Sequence, residues 1–372
     1  MVNLLVDLDE RYGDDARAAA LRELESAGYA CATVERADDR TLAWIDEIFG
    51  GTWSGEIDAG HAVVATRDGA PAGFAGFGGR GLRFAWLRGA GARDGIGIFG
   101  PFGVGPAHRG GTLGASLLVL ALCALRERGY AQALIPAVGP PPLVAYYERA
   151  AGARVAERFE LASFTPRPVR TVVMASGSGS NFQAVIDRVR DGLPLDLRAL
   201  VCNKPQAFAI ERARAAEIDA LVLPWDRTMH SREQYDASLR AAVAAHEPEM
   251  ILLLGWMHLL DRAFVEAFPE LINVHPAFLP LDGSRDTVGM PDGSVIPAFR
   301  GAHAIRDALE ARSAWTGVSV HTVTFETDRG PILVRKPIRI VPDEDEAVLL
   351  ERIHALEHEL VAGGIRRWLF ER

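Results

Sequence analysis

Cysteine is scarce: Cys31, Cys123 and Cys202 are the only three in 372 residues. Their spacing fits neither a disulfide framework nor a zinc site, so they read as small buried apolar side chains. Surplus positive charge is lacking too. Lys and Arg number 40 against 49 Asp and Glu, a net charge of −9. That excludes a general nucleic-acid binder, whose surface is basic, and leaves room for a local pocket that takes a phosphate or a carboxylate. There is no long hydrophobic run. The most apolar stretch, near 113–125, is too short and too closely followed by arginine to span a bilayer. The opening residues, Met-Val-Asn-Leu-Leu-Val-Asp-Leu-Asp-Glu, have no basic segment and turn acidic at once, which is not a signal peptide. The expectation is a cytoplasmic protein that acts on small molecules, with no membrane, nucleic acid or metal involved and with oligomerisation left open.

What is present is an ordinary globular mixture, 49% hydrophobic and 24% charged, long enough for two domains with cores of their own. A strand (Asn3–Val6), a helix (Asp14–Ala27), a second strand and a helix over 40–50 come first. Next are apolar runs on either side of Asp68-Gly69, a hairpin signal. A glycine-rich stretch over 78–102 ends in Ile96–Phe99. Val104-Gly105-Pro106-Ala107-His108-Arg109-Gly110-Gly111-Thr112-Leu113-Gly114 then leads into an apolar helix. A strand, a glycine turn and a helix N-terminus leave backbone amides free, which suits a pyrophosphate. Ala131–Ala137 is a further strand, and Tyr146-Tyr147-Glu148-Arg149-Ala150-Ala151-Gly152 ends a short helix at glycine.

Residues 33–162 resemble the GCN5-related N-acetyltransferases, through Arg109-Gly110-Gly111-Thr112-Leu113-Gly114 and Tyr147-Glu148-Arg149-Ala150-Ala151-Gly152. The resemblance implies a mixed-sheet α+β domain over 1–162 that binds acetyl-CoA through Arg109, Gly110, Gly111, Leu113 and Gly114. Tyr147 would protonate the leaving thiolate. Thr112 stands where that family has glycine, and the strand Ile96–Val104 carries no acid or histidine to act as base. The readings that stay open are an acetyltransferase of unknown acceptor and a degenerate domain without turnover that binds CoA or only supports assembly.

Ser163–Arg170, with two prolines and no apolar period, reads as a linker. After it, strands and helices alternate. Continuous apolar strands alternating with helices mean a parallel sheet covered on both faces, with ligands at the carboxyl ends of its strands. Two features fall at such ends. Ser176-Gly177-Ser178-Gly179-Ser180-Asn181 has neither dinucleotide nor Walker A spacing. It suits a phosphate monoester held by the amides of 179–181, the Ser180 hydroxyl and the dipole of the next helix. Asn273-Val274-His275-Pro276 follows a buried strand. Asn273 and His275 are two apart and so project on one side, a place to stabilise an oxyanion and to move a proton. Residues 281–298 read as irregular. Thr316–Phe325 and Ile332–Val341 form a hairpin across Asp328-Arg329-Gly330-Pro331, and a long helix follows from Glu344.

Residues 170–372 resemble the glycinamide ribonucleotide formyltransferase family. The motifs are the Ser176–Asn181 loop, Asn203-Lys204, Ser231-Arg232-Glu233, Gly255-Trp256-Met257-His258-Leu259-Leu260, Asn273-Val274-His275-Pro276, Thr316–His321, Asp328–Pro331 and Glu357-His358. The resemblance implies a mostly parallel, Rossmann-like α/β domain over 171–372, ending in a hairpin and a long C-terminal helix. It implies transfer of a formyl group from 10-formyltetrahydrofolate to a phosphorylated amine. Gly179, Ser180 and Asn181 would hold the phosphate and Glu357 the ribose hydroxyls. Met257, His258, Leu259 and Leu260 would line the pterin pocket, with Arg232 and Asn273 beside it. Asn273 would donate to the developing oxyanion and His275 would move the proton. Asp328 would raise the histidine pKa toward working pH. His303 matches a supporting histidine, His321 reads as a packed residue or one that supports the site from behind, and His358 reads as packing beside Glu357.

Three positions depart from the family: His258 replaces arginine, Ala277 replaces serine and Ile305 replaces histidine. The segment 281–298 is longer than in compact members. The nearest alternative is formyl transfer to another amine, an amino-sugar nucleotide or methionyl-tRNA. The phosphate loop and the −9 charge count against both. A folate- or CoA-sensing module without turnover is the alternative of another kind.

Overall fold

The Asp68-Gly69 pair has positive φ at both residues, 51° and 76°, the geometry that lets a two-residue turn follow the twist of its strands. It joins the third and fourth of seven strands in the first sheet: β1 (Val2–Asp7), β2 (Ala30–Val34), β3 (His61–Arg67), β4 (Ala70–Phe77), β5 (Ile96–Val104), β6 (Gln132–Val138) and β7 (Arg154–Arg158). The order is β2-β3-β4-β5-β6-β1-β7. Helices α1 (Asp14–Ser26), α2 (Asp39–Phe49), α3 (Trp53–Asp58), α4 (Leu113–Glu127) and α5 (Pro141–Ala151) complete this region. The apolar face of α4, including Leu117, Leu118, Ala121 and Leu125, packs into a core with Leu4, Val6, Val63 and Ile135. All sheet contacts but one are antiparallel. β5 and β6 are parallel over Ile96–Ile98 against Gln132–Leu134, and then part, since β6 continues against β1.

This computed structural model describes residues 1–78, 82, 84–165, 167–229 and 231–371. Its contacts divide the chain into two compact units. One is Met1–Pro166 with Gly289–Ser294 and Leu369–Arg372, the other Arg167–Val288 with Val295–Trp368.

The second unit alternates as the sequence pattern requires. Its strands are β8 (Val169–Ala175), β9 (Leu195–Cys202), β10 (Asp219–Val222), β11 (Met250–Leu253), β12 (Leu271–His275), a short pair β13 (Thr287–Gly289) and β14 (Val295–Pro297), β15 (Trp315–Thr322) and β16 (Ile332–Arg339). Between them run α6 (Ser180–Arg190), α7 (Ala209–Ala215), α8 (Arg232–Ala244), α9 (Arg262–Ala267) and α10 (Ala304–Glu310), and α11 (Glu346–Glu371) closes the chain. The main sheet is ordered β10-β9-β8-β11-β12-β15-β16. β8 to β12 are parallel, and β15 and β16 are added antiparallel at the β12 edge. The α/β class, with a mixed first sheet and a mostly parallel second one, is as the sequence implies.

The structure differs from the sequence reading in several places, and β7 (Arg154–Arg158) is among the elements not foreseen. The stretch 281–298 is not irregular: β13 and β14 form a small hairpin of their own. Helix α3 was not foreseen, because six residues hold too little apolar period to show. β8 begins at Val169, three residues before the apolar run. Arg170 stays in the strand because its Nε donates to the Glu247 carbonyl at 2.7 Å and its amide to Glu249 at 3.2 Å.

Candidate active site

Two chain reversals at the ends of β8 and β12 build the site. After β8, Gly179 adopts a left-handed conformation (φ 69°). A Cβ there would lie 2.8 Å from the Ala209 Cβ and 2.9 Å from its Cα, so only glycine fits without displacing α7. Gly179 caps α6, and the amides of Ser180 and Asn181 fall in that helix's first turn, where none has an intrahelical partner. Ser176 ties this loop to the next strand end. Its hydroxyl accepts from the Met257 amide at 3.0 Å, and its own amide donates to the Gly255 carbonyl at 3.0 Å.

At the end of β12, antiparallel pairing sets the chemistry. Asn273 faces His321 and His275 faces Ser319 across the ladder with β15, and opposed side chains in such a pair touch. Asn273 Nδ2 lies 3.2 Å from His321 Nε2 and 3.4 Å from Asp328 Oδ1. Asp328 sits in the turn between β15 and β16 with φ 52°, and its Oδ2 accepts from the Gly301 amide at 2.8 Å. His275 Nδ1 is 3.5 Å from Asp328 Oδ2, and His275 Nε2 donates to the Phe299 carbonyl at 2.7 Å. Burial opposes the charge on Asp328. The His321 and His275 rings and the Gly301 amide outweigh it, and the carboxyl is held well below the usual carboxylate range.

His275 behaves otherwise than the sequence implies. Burial pushes its pKa down, and Asp328 and the Phe299 carbonyl oppose that only in part. The ring is 4% exposed, and so complete a loss of water outweighs one carboxylate at 3.5 Å. Burial thus works against the charge on this ring, whose Nδ1 is turned to Asp328.

These groups, the glycine loop and the wall Gly255–Leu260 line one cavity of about 480 Å³, a size that suits a small-molecule ligand. Glu357 enters from α11. It is 5% exposed, it accepts from Asn181 Nδ2 at 2.8 Å, and burial raises its carboxyl to about 7 against the pull of Asn181. Asn181 thus spends its side-chain donor on Glu357, leaving its backbone amide for an anion. Met257 and Leu259 are 53% and 71% exposed along the wall. Arg232 does not line the cavity; it donates to the Leu259 carbonyl and to Asp236, and so holds the wall from behind. His258 packs edge-on against Trp225, Tyr235 and Trp256. Burial, then Arg232, lowers its pKa.

Some lining residues had no assigned role in the sequence reading. Lys204 follows β9 into the cavity, and His354 stands three residues before Glu357, which places both on one face of α11; that spacing was the available signal. Of the two readings of His321, the supporting one fits its surroundings, since its ring meets both Asn273 and Asp328. His303 is exposed, at the start of α10, outside the lining set.

The profile of the family described as formyl transferase matches residues 169–284 and 292–364, half of the chain. The chain belongs to the formyl transferase family. Among relatives, the trifunctional purine biosynthetic protein adenosine-3 of Drosophila melanogaster is 36% identical over 52% of this chain and 13% of its own length. The phosphoribosylglycinamide formyltransferase of Bacillus subtilis is 32% identical over 53% of this chain and 93% of its own. The chain spans about an eighth of the length of the trifunctional relatives it matches. Among solved structures, glycinamide ribonucleotide transformylase 1 from Geobacillus kaustophilus aligns with TM-score 0.47 and 34% identity, covering 55% of this chain and 100% of that one.

In the first unit, Gly110 is left-handed (φ 84°) and Thr112 makes no side-chain cap to α4. A Cβ on Gly110 or Gly111 would meet nothing within 4 Å, so the turn is open. Arg109 folds back, its Nε donating to the Val104 carbonyl at 3.1 Å. Leu113 is buried in the core. Tyr147 is 5% exposed, its ring stands against Phe99, and burial pushes its hydroxyl far up. A Cβ on Gly114 would lie 3.9 Å from the Tyr146 hydroxyl, so Tyr146 is the tyrosine beside the start of α4.

Among the described residues no group of His, Cys, Asp and Glu has the arrangement of a metal site, and no helix is long and apolar enough to cross a membrane.

Proposed function

We propose that this chain is a phosphoribosylglycinamide formyltransferase that uses 10-formyltetrahydrofolate in purine biosynthesis. The observation that carries the reading is one cavity with two unlike ends. At one, the free amides at the start of α6 and Glu357 suit a ribose phosphate. At the other, Asn273, His275 and Asp328 suit proton transfer at a reacting centre. The wall Met257–Leu260 between exposed apolar side chains suits the pterin. In the reaction the amine nitrogen attacks the formyl carbon, a new C–N bond forms and the C–N10 bond breaks. One proton passes from the amine to N10. His275 takes that proton at Nδ1, where the imidazolium gains the Asp328 carboxylate, and returns it to the leaving nitrogen. The relatives' names, phosphoribosylglycinamide formyltransferase among them, agree with this acceptor.

The test is a spectrophotometric formyl-transfer assay of the full chain with glycinamide ribonucleotide and with its dephosphorylated riboside. Turnover of the ribonucleotide, with a much higher KM for the riboside, is the expected result. Equal use of both would remove the phosphate role of Gly179, Ser180 and Asn181.

A second activity belongs to this proposal. The parting of β5 from β6 after Ile98 and Leu134, with the open Gly110-Gly111 turn ahead of α4, favours acetyl-CoA in the first unit. Calorimetric titration with CoA should give saturable heat; none at millimolar CoA would contradict it. Two domains meeting within 163–170, a cytoplasmic location and freedom from nucleic acid complete the reading.

A further inference from the structure

We infer that Arg212, on α7, is a positioning residue for the substrate phosphate. It draws the Ser178 carbonyl outward and so aims the Gly179 amide into the cavity. The inference rests on the phosphate reading of Gly179, Ser180 and Asn181, and adds to it a residue that does not touch the ligand.

Arg212 Nε donates to the Ser178 carbonyl at 2.9 Å, and its Nη1 donates to Gln183 Oε1 at 3.1 Å. At the start of α7, the Ala209 amide donates to the Gly177 carbonyl at 3.2 Å. Two successive carbonyls of the loop therefore point at α7. A trans peptide sets its C=O and N–H on opposite sides, and the Ser178–Gly179 bond is trans. With the Ser178 oxygen held by Arg212, the hydrogen on Gly179 faces away from α7. Arg212 lines an outer groove with Gln183, Asp187 and His358, whereas Gly179 lines the cavity. The Gly179 amide thus points to the cavity side. No hydrogen-bond partner for it is found among the described residues.

The bond does more than orient. A cation donating to a carbonyl polarises the whole peptide group and makes its N–H a stronger donor to an anion. Both acceptors of Arg212 are neutral, so these bonds leave its charge uncancelled behind the loop. The side chain is held in place. Its guanidinium lies over the Phe208 ring at 5.0 Å, and Gln183 is in turn tied to Asp187 at 2.9 Å.

Two variants separate positioning from structure. Arg212→Met keeps most of the length but removes donor and charge. Arg212→Lys keeps a charged donor within reach of the carbonyl. In the formyl-transfer assay of the full chain, Arg212→Met should raise KM for glycinamide ribonucleotide about tenfold. KM for the riboside and for the folate, and kcat at saturation, should stay within about threefold. Arg212→Lys should recover most of the loss, and thermal melts of both check folding. An unchanged KM in Arg212→Met, equal rises for ribonucleotide and riboside, or no recovery in Arg212→Lys would overturn the proposal. Calorimetric titration with ribose 5-phosphate reads the same contact without turnover. Binding about tenfold weaker in Arg212→Met is expected, and equal binding, or none by the wild type, overturns it. A wild type that uses ribonucleotide and riboside alike sinks the phosphate reading itself. A preference kept whole in Arg212→Met sinks only the role of Arg212.

Discussion

The two units each place a glycine turn ahead of an apolar helix, and the second gathers buried carboxylates and imidazoles into one cavity with it. In the first, the turn before α4 has an arginine folded onto the Val104 carbonyl and a tyrosine sunk into the core. In the second, the turn before α6 shares a cavity with His275, Asp328, His321 and Glu357. The difference lies in sheet construction. β12 is parallel to β11 on one side and antiparallel to β15 on the other. The antiparallel neighbour returns His321 and, through its turn, Asp328 to the end where the parallel strands already deliver Asn273 and His275. In the first sheet β5 is likewise parallel to β6 and antiparallel to β4, but the residues β4 sets against the end of β5 are Gly73, Phe74 and Ala75, which carry no titratable group.

The contrast is broken most severely through Asp328. Asp328→Ala should lower formyl transfer by at least about a hundredfold and leave CoA heat in the first unit unchanged. A rate near wild type would remove Asp328 from the mechanism.

Glu357 sharpens it through pH. Its carboxyl is raised to about 7 in the fold and lies near 4.3 in an unfolded chain. Between those values the native state holds the extra proton, so stability falls as pH rises through that window and is lowest above it. The full span is worth at most roughly 4 kcal/mol. Glu357→Gln should therefore unfold at higher urea than wild type at pH 8, with the gap closing by pH 4. A gap independent of pH would show that the carboxyl is not raised.

Gly179 is next. Gly179→Ala meets Ala209 and an unfavourable φ, and should cost about 1–2 kcal/mol of stability with a raised KM for the ribonucleotide. In the first unit, Tyr147→Phe should shift stability by less than about 1 kcal/mol, because no hydrogen bond to its hydroxyl is found among the described residues. An acetyl-transfer rate unchanged by it would exclude Tyr147 as the acid and leave Tyr146 to be tested. The smallest effect is at cysteine: burial pushes the Cys31 and Cys123 thiols up to about 11, so maleimide at pH 7 should label them slowly in the native protein and at once in urea.

Much of this was legible in the chain. The alternation after residue 170 specified a parallel sheet, and the spacing of Asn273 and His275 placed both at a strand end. What escaped has physical reasons. The bond from Asn181 to Glu357 spans 176 positions, and no local pattern encodes it. The role of His321 depends on strand register, which sequence fixes only once both partners are known. The choice between Tyr146 and Tyr147 is a matter of helical phase within α5. The lowered pKa of His275 follows from how completely its surroundings close over it, a property of packing and not of spacing.

The most direct test of the central claim is the rate of formyl transfer to glycinamide ribonucleotide by the full chain, wild type beside His275→Ala. The account predicts turnover by the wild type and a loss of at least about a hundredfold in the variant, with the folded structure retained. Equal rates in the two proteins, or no transfer by a wild type that still binds the folate, would contradict it.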